Sequence, residues 1–188
     1  MTSFICSCFY SDIVWIVGDS IIRRVECGFP LPLKVHWKGK GGAGVADLYD
    51  LREQLLRLSP PPVFLLVHLG TNDLVKIDEF ALRQRVAVML RDCLDWCPHL
   101  TLIWSDILPR VFYFGAHSQP ALGRKRRIIN RWARSQCSKL PRTLCLHHPQ
   151  FQWADFSLYH FDGVHLSPAG NRIFRSNIEQ FLRSHIAC

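Results

Sequence analysis

The chain has 188 residues, a length typical of one domain whose core is large enough to fold unaided. Apolar residues make up 48% and charged residues 20%, which excludes an acidic or low-complexity disordered chain. The net charge of +8 is local, because the segment from Arg110 to Arg142 holds nine Lys and Arg residues and no Asp or Glu. We therefore expect one domain over residues 1–188, with its core at about 12–185 and a single basic segment.

Eight cysteines raise the question of a secreted disulfide framework, but a chain of this length and apolar content does not need one. Residues 1–17 lack a basic start, and Asp12 interrupts the apolar run, so no secretory signal is predicted. No apolar stretch reaches the ~18 residues of a spanning helix, so no transmembrane segment is predicted either. These features together predict a cytoplasmic protein with reduced cysteines.

Short apolar runs alternate with longer segments of helical period, which is typical of a parallel sheet with helices on both faces. The strands are predicted at 12–17, 33–37, 63–69, 100–105 and 143–147. Helices are predicted at about 45–58, 79–96, 122–139 and 168–184, with a short one after Ser20. Asp78-Glu79 and Ser167-Pro168 are suitable helix starts. The pattern predicts an α/β fold, one doubly wound domain.

Gly18-Asp19-Ser20 lies where the first strand ends and a short helix should begin. This position presents the serine hydroxyl at the carboxyl edge of the sheet, where open α/β sheets bind ligands. The alternative is that Asp19 or Ser20 simply caps the helix. The tripeptide alone does not decide between a nucleophile and a cap.

Gly70-Thr71-Asn72-Asp73 follows the third strand in the same way. If the strand order is 2-1-3-4-5, the first and third strands are neighbours, and Ser20 and Asn72 converge on one crevice. An asparagine amide there can donate to an oxyanion, although Asn-Asp also forms ordinary turns. The two motifs together favour a site over two unrelated turns.

Asp162-Gly163-Val164-His165 precedes the last predicted helix. A spacing of three in a turn can place the carboxylate beside imidazole Nδ1, which leaves Nε2 free to act as a general base. A structural histidine is the alternative, but this one has an acid at the right spacing. The chain order of a serine triad would then be Ser20, Asp162, His165.

These motifs resemble the blocks of the SGNH (GDSL-type) hydrolases. Four blocks occur in the correct order: Gly18-Asp19-Ser20, Gly42 within 41–45, Gly70-Thr71-Asn72-Asp73, and Asp162 to Gly170. The resemblance implies a three-layer, flavodoxin-like five-stranded parallel sheet of order 2-1-3-4-5 and ester hydrolysis without metal or cofactor. It implies that Ser20 is the nucleophile, His165 the base and Asp162 its orienting acid. It also implies an oxyanion hole from the Ser20 and Gly42 N–H groups and the Asn72 side chain, with Gly41 as an alternative to Gly42.

Leu108-Pro109-Arg110, followed by Arg126 to Arg131, carries a narrower likeness. It resembles the esterase domains encoded in the first open reading frame of LINE-type vertebrate retrotransposons.

Two other patterns are typical of dinucleotide sites and zinc sites, but each is incomplete here. Gly39 to Gly44 fits G-x-G-x-x-G, but it follows the second strand and lacks the acidic residue of a dinucleotide site. Cysteine and histidine pairs such as Cys93/Cys97 and His147/His148 have no second matching pair, so no zinc site is predicted. No G-x-S-x-G motif occurs, which separates the chain from α/β-hydrolases.

The basic segment has helical period, at about 100° per residue. Its stripe consists of Arg124, Arg127, Arg131 and Arg134, and an apolar face lies opposite. This stripe is either an ordinary solvated face or an anion-binding face for RNA or anionic lipid. Aromatic residues after the fourth strand (Phe112, Tyr113, Phe114) and Trp153 should rise at the edge that carries Ser20, where they would contact substrate or membrane or simply pack.

The sequence therefore predicts a serine esterase or lipase-like acylhydrolase that acts on an ester or lipid through Ser20. One alternative is an RNA- or membrane-binding module derived from a retroelement, with a vestigial hydrolase site. The other is an acyltransferase that uses the same triad. Acyl chain length and oligomeric state have no signature in the sequence.

Overall fold

The computed structural model describes residues 13–25 and 34–186. Within them, five strands form one sheet: β1 (Ile13–Gly18), β2 (Lys34–Gly39), β3 (Phe64–His68), β4 (Thr101–Ser105) and β5 (Thr143–Leu146). The order is β2-β1-β3-β4-β5, and every adjacent pair is parallel. The predicted strands and their order are confirmed; residues 12 and 33, where two predictions began, lie outside the described residues.

The helices of the described chain are α1 (Ser20–Val25), α2 (Leu48–Leu56), α3 (Asp73–Lys76), α4 (Glu79–Trp96), α5 (Gln119–Cys137) and α6 (Pro168–Ile186). The predicted helix at 45–58 is in fact a 3₁₀ turn, Val45–Asp47, that leads into α2. Helix α3 was not predicted, because a single turn is too short to show a periodic pattern.

Side-chain caps set three of the helix starts. The Asp78 carboxylate accepts from Ala81 N–H at 2.7 Å, and Ser167 Oγ accepts from Gly170 N–H at 3.2 Å, as the sequence suggested. Ser118 caps α5 in the same way. This cap and Pro120 in the first turn start the helix three residues before the predicted 122.

The core has two halves because the sheet is covered on both faces. Trp15 and Val17 of β1 pack in the half that includes α2, α4 and α5. The alternating Val14 and Ile16 pack in the half that includes α1 and α6. All six residues of β1 are buried, as expected for the central strand of a three-layer α/β fold. The predicted fold class is confirmed.

Cys93, Cys97, Cys137 and Cys145 are free thiols. Cys6, Cys8, Cys27 and Cys188 lie outside the described residues, as does most of the segment on which the prediction of no secretory signal was based. Among helices in the described part of the chain, none is long and apolar enough to span a bilayer.

Candidate active site

The carboxyl ends of β1 and β3 lie side by side at the point where the chain changes direction across the sheet. Gly18 is in register with His68, and Asp19 N–H donates to the His68 carbonyl at 3.3 Å. A Cβ atom on Gly18 would stand 2.5 Å from that carbonyl oxygen, so only glycine permits this approach. The loop after β1 is therefore held against the end of β3, and Ser20 opens α1 at the switch point of the sheet.

Ser20, His165 and Asp162 are brought together across 145 residues of sequence. His165 Nε2 lies 3.1 Å from Ser20 Oγ. His165 Nδ1 lies 2.6 Å from Asp162 Oδ2. Both distances are within hydrogen-bonding range, so the three side chains form one continuous chain of contacts.

The turn that carries Asp162 and His165 is fixed by its own backbone. Gly163 has φ +65°, in the left-handed region, and its N–H donates to the His160 carbonyl at 2.8 Å. Asp162 Oδ1 accepts from the N–H groups of Val164 and His165, each at 2.9 Å. The spacing of three between acid and histidine thus gives one compact turn that orients both side chains.

The contacts within this turn also determine the ionisation of the Asp162 carboxyl group. Partial burial acts to raise the pKa of Asp162, but the hydrogen bonds from the His165 ring and from two backbone N–H groups outweigh it, and the net pKa lies well below the ordinary value. Asp162 is therefore ionised at neutral pH. An ionised acceptor at Nδ1 holds the proton on that nitrogen and leaves the lone pair of Nε2 facing Ser20.

The side chains of Asp19 and Ser20 in the Gly18-Asp19-Ser20 motif have different partners. Asp19 Oδ1 accepts from Ile21 N–H at 2.8 Å, so Asp19 caps the start of α1. Ser20 Oγ is left for His165. Complete burial raises the pKa of Asp19 to about 6, although the charges of Arg110 and His165 act to lower it.

Asn72 ties together the loops that surround Ser20. Its Nδ2 donates to the Ala43 carbonyl at 2.9 Å, and its Oδ1 accepts from Arg110 Nη2 at 2.9 Å. One N–H of the Asn72 amide therefore donates to the loop that contains Gly42. A side-chain amide has two N–H donors, so the second remains for another acceptor. Gly42 itself is exposed on this loop.

Arg110 and Asp73 are two residues of the site whose contacts the sequence did not predict. Arg110 is largely buried, and burial lowers its pKa while the charges of Asp19 and other neighbours act to raise it. Asp73 Oδ2 accepts from Val45 N–H at 2.9 Å, so it fastens the Gly42 loop to α3. Arg110 belongs to the Leu108-Pro109-Arg110 motif and Asp73 to Gly70-Thr71-Asn72-Asp73, but the residues they contact are distant in sequence.

Two backbone donors of the glycine-rich loop already have acceptors within the protein. The Gly44 N–H donates to the Asp47 carboxylate and the Val45 N–H to Asp73, each at 2.9 Å. Two backbone donors of the loop thus already have carboxylate acceptors, which supports the interpretation that G-x-G-x-x-G is not a dinucleotide motif here. Over residues 13–25 and 34–186, no three His, Cys, Asp or Glu side chains are grouped to hold a metal ion.

The predicted basic stripe lies on α5. Arg124, Arg127 and Arg131 are exposed. Arg134 is partly shielded and lies 3.7 Å from the Asp106 carboxylate. The sequence showed no acid near this stripe because Asp106 follows β4, outside the helical segment. A fifth arginine of the helix, Arg126, is buried and faces inward.

The predicted aromatic contact residues divide into two kinds. Phe112, Phe114 and Trp153 are 45%, 68% and 69% exposed. Tyr113 is only 3% exposed, and its hydroxyl accepts from Arg110 N–H at 3.3 Å. For Tyr113 the structure corresponds to simple packing, the alternative to substrate or membrane contact, because the loop turns its side chain into the core.

Comparison with known proteins identifies a matching family and solved structures with a similar fold. A model of the GDSL-like lipase/acylhydrolase family matches residues 16–173. No curated protein matches the chain. A GDSL-like lipase from Bacteroides thetaiotaomicron is 18% identical, with a TM-score of 0.74 over 93% of this chain and 89% of the other. The family 3 carbohydrate esterase of Clostridium thermocellum is 16% identical, with a TM-score of 0.69 over 93% and 96%.

A third solved structure also aligns with most of the chain. The esterase domain of an ORF1 protein from a zebrafish retrotransposon is 24% identical over 91% of this chain and 98% of that one, with a TM-score of 0.49. The other two structures share the fold. With the family model spanning all four sequence blocks, the chain belongs to the GDSL-like lipase/acylhydrolase family and is a hydrolase of the esterase or lipase type.

Proposed function

We propose that the protein is a serine esterase that cleaves carboxylic esters through an acyl-enzyme on Ser20. The observation that carries the proposal is the contact chain from Ser20 Oγ to His165 Nε2 at 3.1 Å and from His165 Nδ1 to Asp162 at 2.6 Å. A weakly nucleophilic hydroxyl needs an adjacent base, and the base needs an orienting group. In space, Ser20, His165 and Asp162 follow one another in the order nucleophile, base and orienting acid, which supports the proposal.

The first half of the reaction forms the acyl-enzyme. Ser20 Oγ attacks the ester carbonyl carbon while His165 Nε2 takes the hydroxyl proton. The tetrahedral intermediate then collapses, the bond to the alcohol oxygen breaks, and the protonated His165 gives that proton to the leaving alcohol. The negative charge of Asp162 stabilises the imidazolium between these two steps.

The second half returns the free enzyme. Water attacks the acyl carbonyl as His165 takes one of its protons, and the carboxylic acid leaves as the proton returns to Ser20 Oγ. An alcohol in place of water would give transesterification, which is the acyltransferase alternative. Product analysis with added alcohol distinguishes the two outcomes.

Charge on the carbonyl oxygen needs donors in both halves. Those proposed are the backbone N–H groups of Ser20 and Gly42 and the remaining N–H of the Asn72 amide. Arg110 on Oδ1 and the Ala43 carbonyl on Nδ2 fix the plane of that amide, so the donor is oriented before substrate arrives. Loss of one such donor typically costs about 10²–10³ in kcat.

The assay is hydrolysis of p-nitrophenyl esters of increasing acyl length by wild type and by Ser20→Ala. We expect the variant to lose activity by about 10³-fold or more with an unchanged melting temperature, because only one oxygen atom is removed. Ester turnover that is equal in both proteins would contradict the proposal and favour a binding module with a vestigial site.

A second candidate function is docking on an anionic lipid surface, favoured by exposed aromatic side chains at the edge that carries Ser20. Phe112 and Phe156 contact each other with ring centroids 6.2 Å apart, and Phe161 beside Asp162 is 91% exposed. The Arg127 guanidinium lies 5.3 Å from the ring centroid of Trp153. Aromatic rings with adjacent arginine suit the interface of an anionic bilayer.

Vesicle flotation tests this second function. We expect wild type to float with phosphatidylserine vesicles and Trp153→Ala to float several-fold less. Leu58→Ala is the matched control, since Leu58 is 68% exposed but follows α2 at the opposite edge of the sheet. Equal flotation of the two variants, or binding to RNA without binding to vesicles, would overturn the assignment.

A further inference from the structure

A cavity lies at the carboxyl ends of β4 and β5, on the same edge of the sheet as Ser20. Its volume is about 310 Å³, at the lower end of the ~300–1,000 Å³ typical of small-molecule sites. Asp106 follows β4 and His147 follows β5, and one face of α5 forms the opposite wall. Ser20, Asp162 and His165 do not line it, so it is a separate site.

The lining is strongly basic. It contains four arginines of α5, namely Arg126, Arg127, Arg131 and Arg134. Asp106 is the one carboxylate among its lining residues, and this carboxylate already contacts His147 Nδ1 at 2.6 Å and Arg134 at 3.7 Å. Within the described chain, the other three guanidinium groups have no ion-pair partner. An anionic ligand would supply the missing charge.

Arg126 is the least exposed of the four, at 6%. Its Nη1 donates to the Ile107 carbonyl at 3.2 Å and its Nη2 to the Gln152 carbonyl at 2.9 Å, whereas Nε has no hydrogen-bond partner in the described residues. A buried cation whose hydrogen bonds go only to two neutral carbonyls is costly, and the charge of nearby Asp106 only partly offsets the effect of burial on the pKa of Arg126. The site is therefore built into the core rather than laid on the surface.

Two further groups narrow the chemistry of the ligand. Asp106 Oδ1 is buried and has no hydrogen-bond partner in the described chain, so it can accept a bond from a ligand hydroxyl. Trp153 lies at the rim of the cavity and is largely exposed. The Arg127 guanidinium lies over its ring, and together they offer a flat surface on which a ring of the ligand can stack. Anionic oxygens, a hydroxyl and a ring are together found in phosphorylated sugars and nucleotides.

We propose that this cavity binds a phosphate monoester, with the phosphate held by the arginines of α5 and a hydroxyl of the ligand donating to Asp106. Guanidinium groups match phosphate because they give two parallel N–H donors to two oxygens. The site is proposed independently of the esterase reaction, since Ser20, Asp162 and His165 are not among the residues that line it. It can therefore be tested in protein that has no hydrolytic activity.

The experiment is calorimetric titration of AMP and, separately, of inorganic phosphate into wild-type, Ser20→Ala, Arg131→Ala and Arg124→Ala protein. Arg131 and Arg124 are both exposed on the α5 stripe, but only Arg131 lines the cavity. Loss of one charge-assisted contact should weaken AMP binding by about tenfold or more in Arg131→Ala. Arg124→Ala and Ser20→Ala should bind as wild type does.

Three outcomes would overturn the proposal. The first is no saturable binding of AMP or phosphate by wild type. The second is equal weakening in Arg131→Ala and Arg124→Ala, which would assign binding to the diffuse charge of the stripe. The third is binding of phosphatidic acid vesicles without binding of AMP, which would place the phosphate chemistry on a lipid surface. Melting temperatures verify that each variant is folded.

Discussion

The sheet edge of this protein carries two Asp–His pairs with the same local geometry. In one, Asp162 Oδ2 lies 2.6 Å from His165 Nδ1, and in the other Asp106 Oδ2 lies 2.6 Å from His147 Nδ1. Only the first continues to a serine hydroxyl, at 3.1 Å from His165 Nε2. The second lies beside Arg134 and opens on the basic cavity. The same carboxylate–imidazole contact therefore occurs once beside a serine hydroxyl and once beside a basic cavity.

The two carboxylates also differ in how the protein satisfies them. Asp162 Oδ1 accepts two backbone N–H bonds, whereas Asp106 Oδ1 accepts none from the described residues. Hydrogen bonding therefore lowers the pKa of Asp162 despite partial burial. Burial raises the pKa of Asp106 in spite of the opposing contact with His147. Both carboxylates contact a histidine, so the deeper burial of Asp106 and its lack of backbone donors account for the opposite directions of the two pKa shifts.

The largest expected effect breaks the comparison at the histidines. His165→Ala should lower kcat for a p-nitrophenyl ester by about 10³-fold or more, because Ser20 loses its general base. His147→Ala should leave ester hydrolysis within about twofold of wild type, since His147 does not contact Ser20 in the structure. Steady-state kinetics of both variants gives the measurement.

The outcome is diagnostic because the two substitutions remove the same atoms from pairs of the same geometry. A comparable loss of activity in both variants would mean that His147 contributes to ester hydrolysis. Full activity of His165→Ala would remove the triad from the mechanism. Circular dichroism establishes that neither result reflects unfolding.

A smaller effect separates the acids by the pH dependence of stability. Asp162 has a lowered folded pKa, so its contribution is present above the unfolded value of about 3.8 and is lost as pH falls below that value. Asp106 has a raised folded pKa, so its contribution is full below about 3.8 and is lost as pH rises above it. The two groups therefore give slopes of opposite sign.

Melting temperatures of Asp162→Asn and Asp106→Asn, measured from pH 3 to pH 6 against wild type, test these signs. The Asp162→Asn deficit should grow as pH rises, and Asp106→Asn should gain on wild type over the same range. If the profiles of both variants ran parallel to the wild-type profile, neither acid would have the pKa shift assigned to it. Thermal scans monitored by circular dichroism are sufficient for this comparison.

The sequence predicted more of the first pair than of the second for a simple reason of separation. Asp162 and His165 are three residues apart, and the turn that joins them is written in adjacent letters. Asp106 and His147 are 41 residues apart and meet only because β4 and β5 are neighbours. The contact of Arg110 with Asn72, across 38 residues, was missed for the same reason.

Helix α3 and Tyr113 show the limits of local patterns in another way. A single helical turn at Asp73–Lys76 carries no period to detect. Tyr113 sits between two exposed phenylalanines, and only the backbone path of the loop decides that its ring is buried. Burial in an irregular segment depends on tertiary contacts that composition does not encode.

The sequence by itself determined the fold class and the positions of Ser20, Asn72, Asp162 and His165 after strands or before a helix, and its resemblance to a family implied the strand order. Hydrophobic period and short motifs are local properties, so they can be read in one dimension. The tertiary structure alone decided which charges meet. It assigned Asp19 to the helix cap, placed Arg110 behind Asn72 and gathered four arginines around Asp106, because these contacts join residues that are distant along the chain.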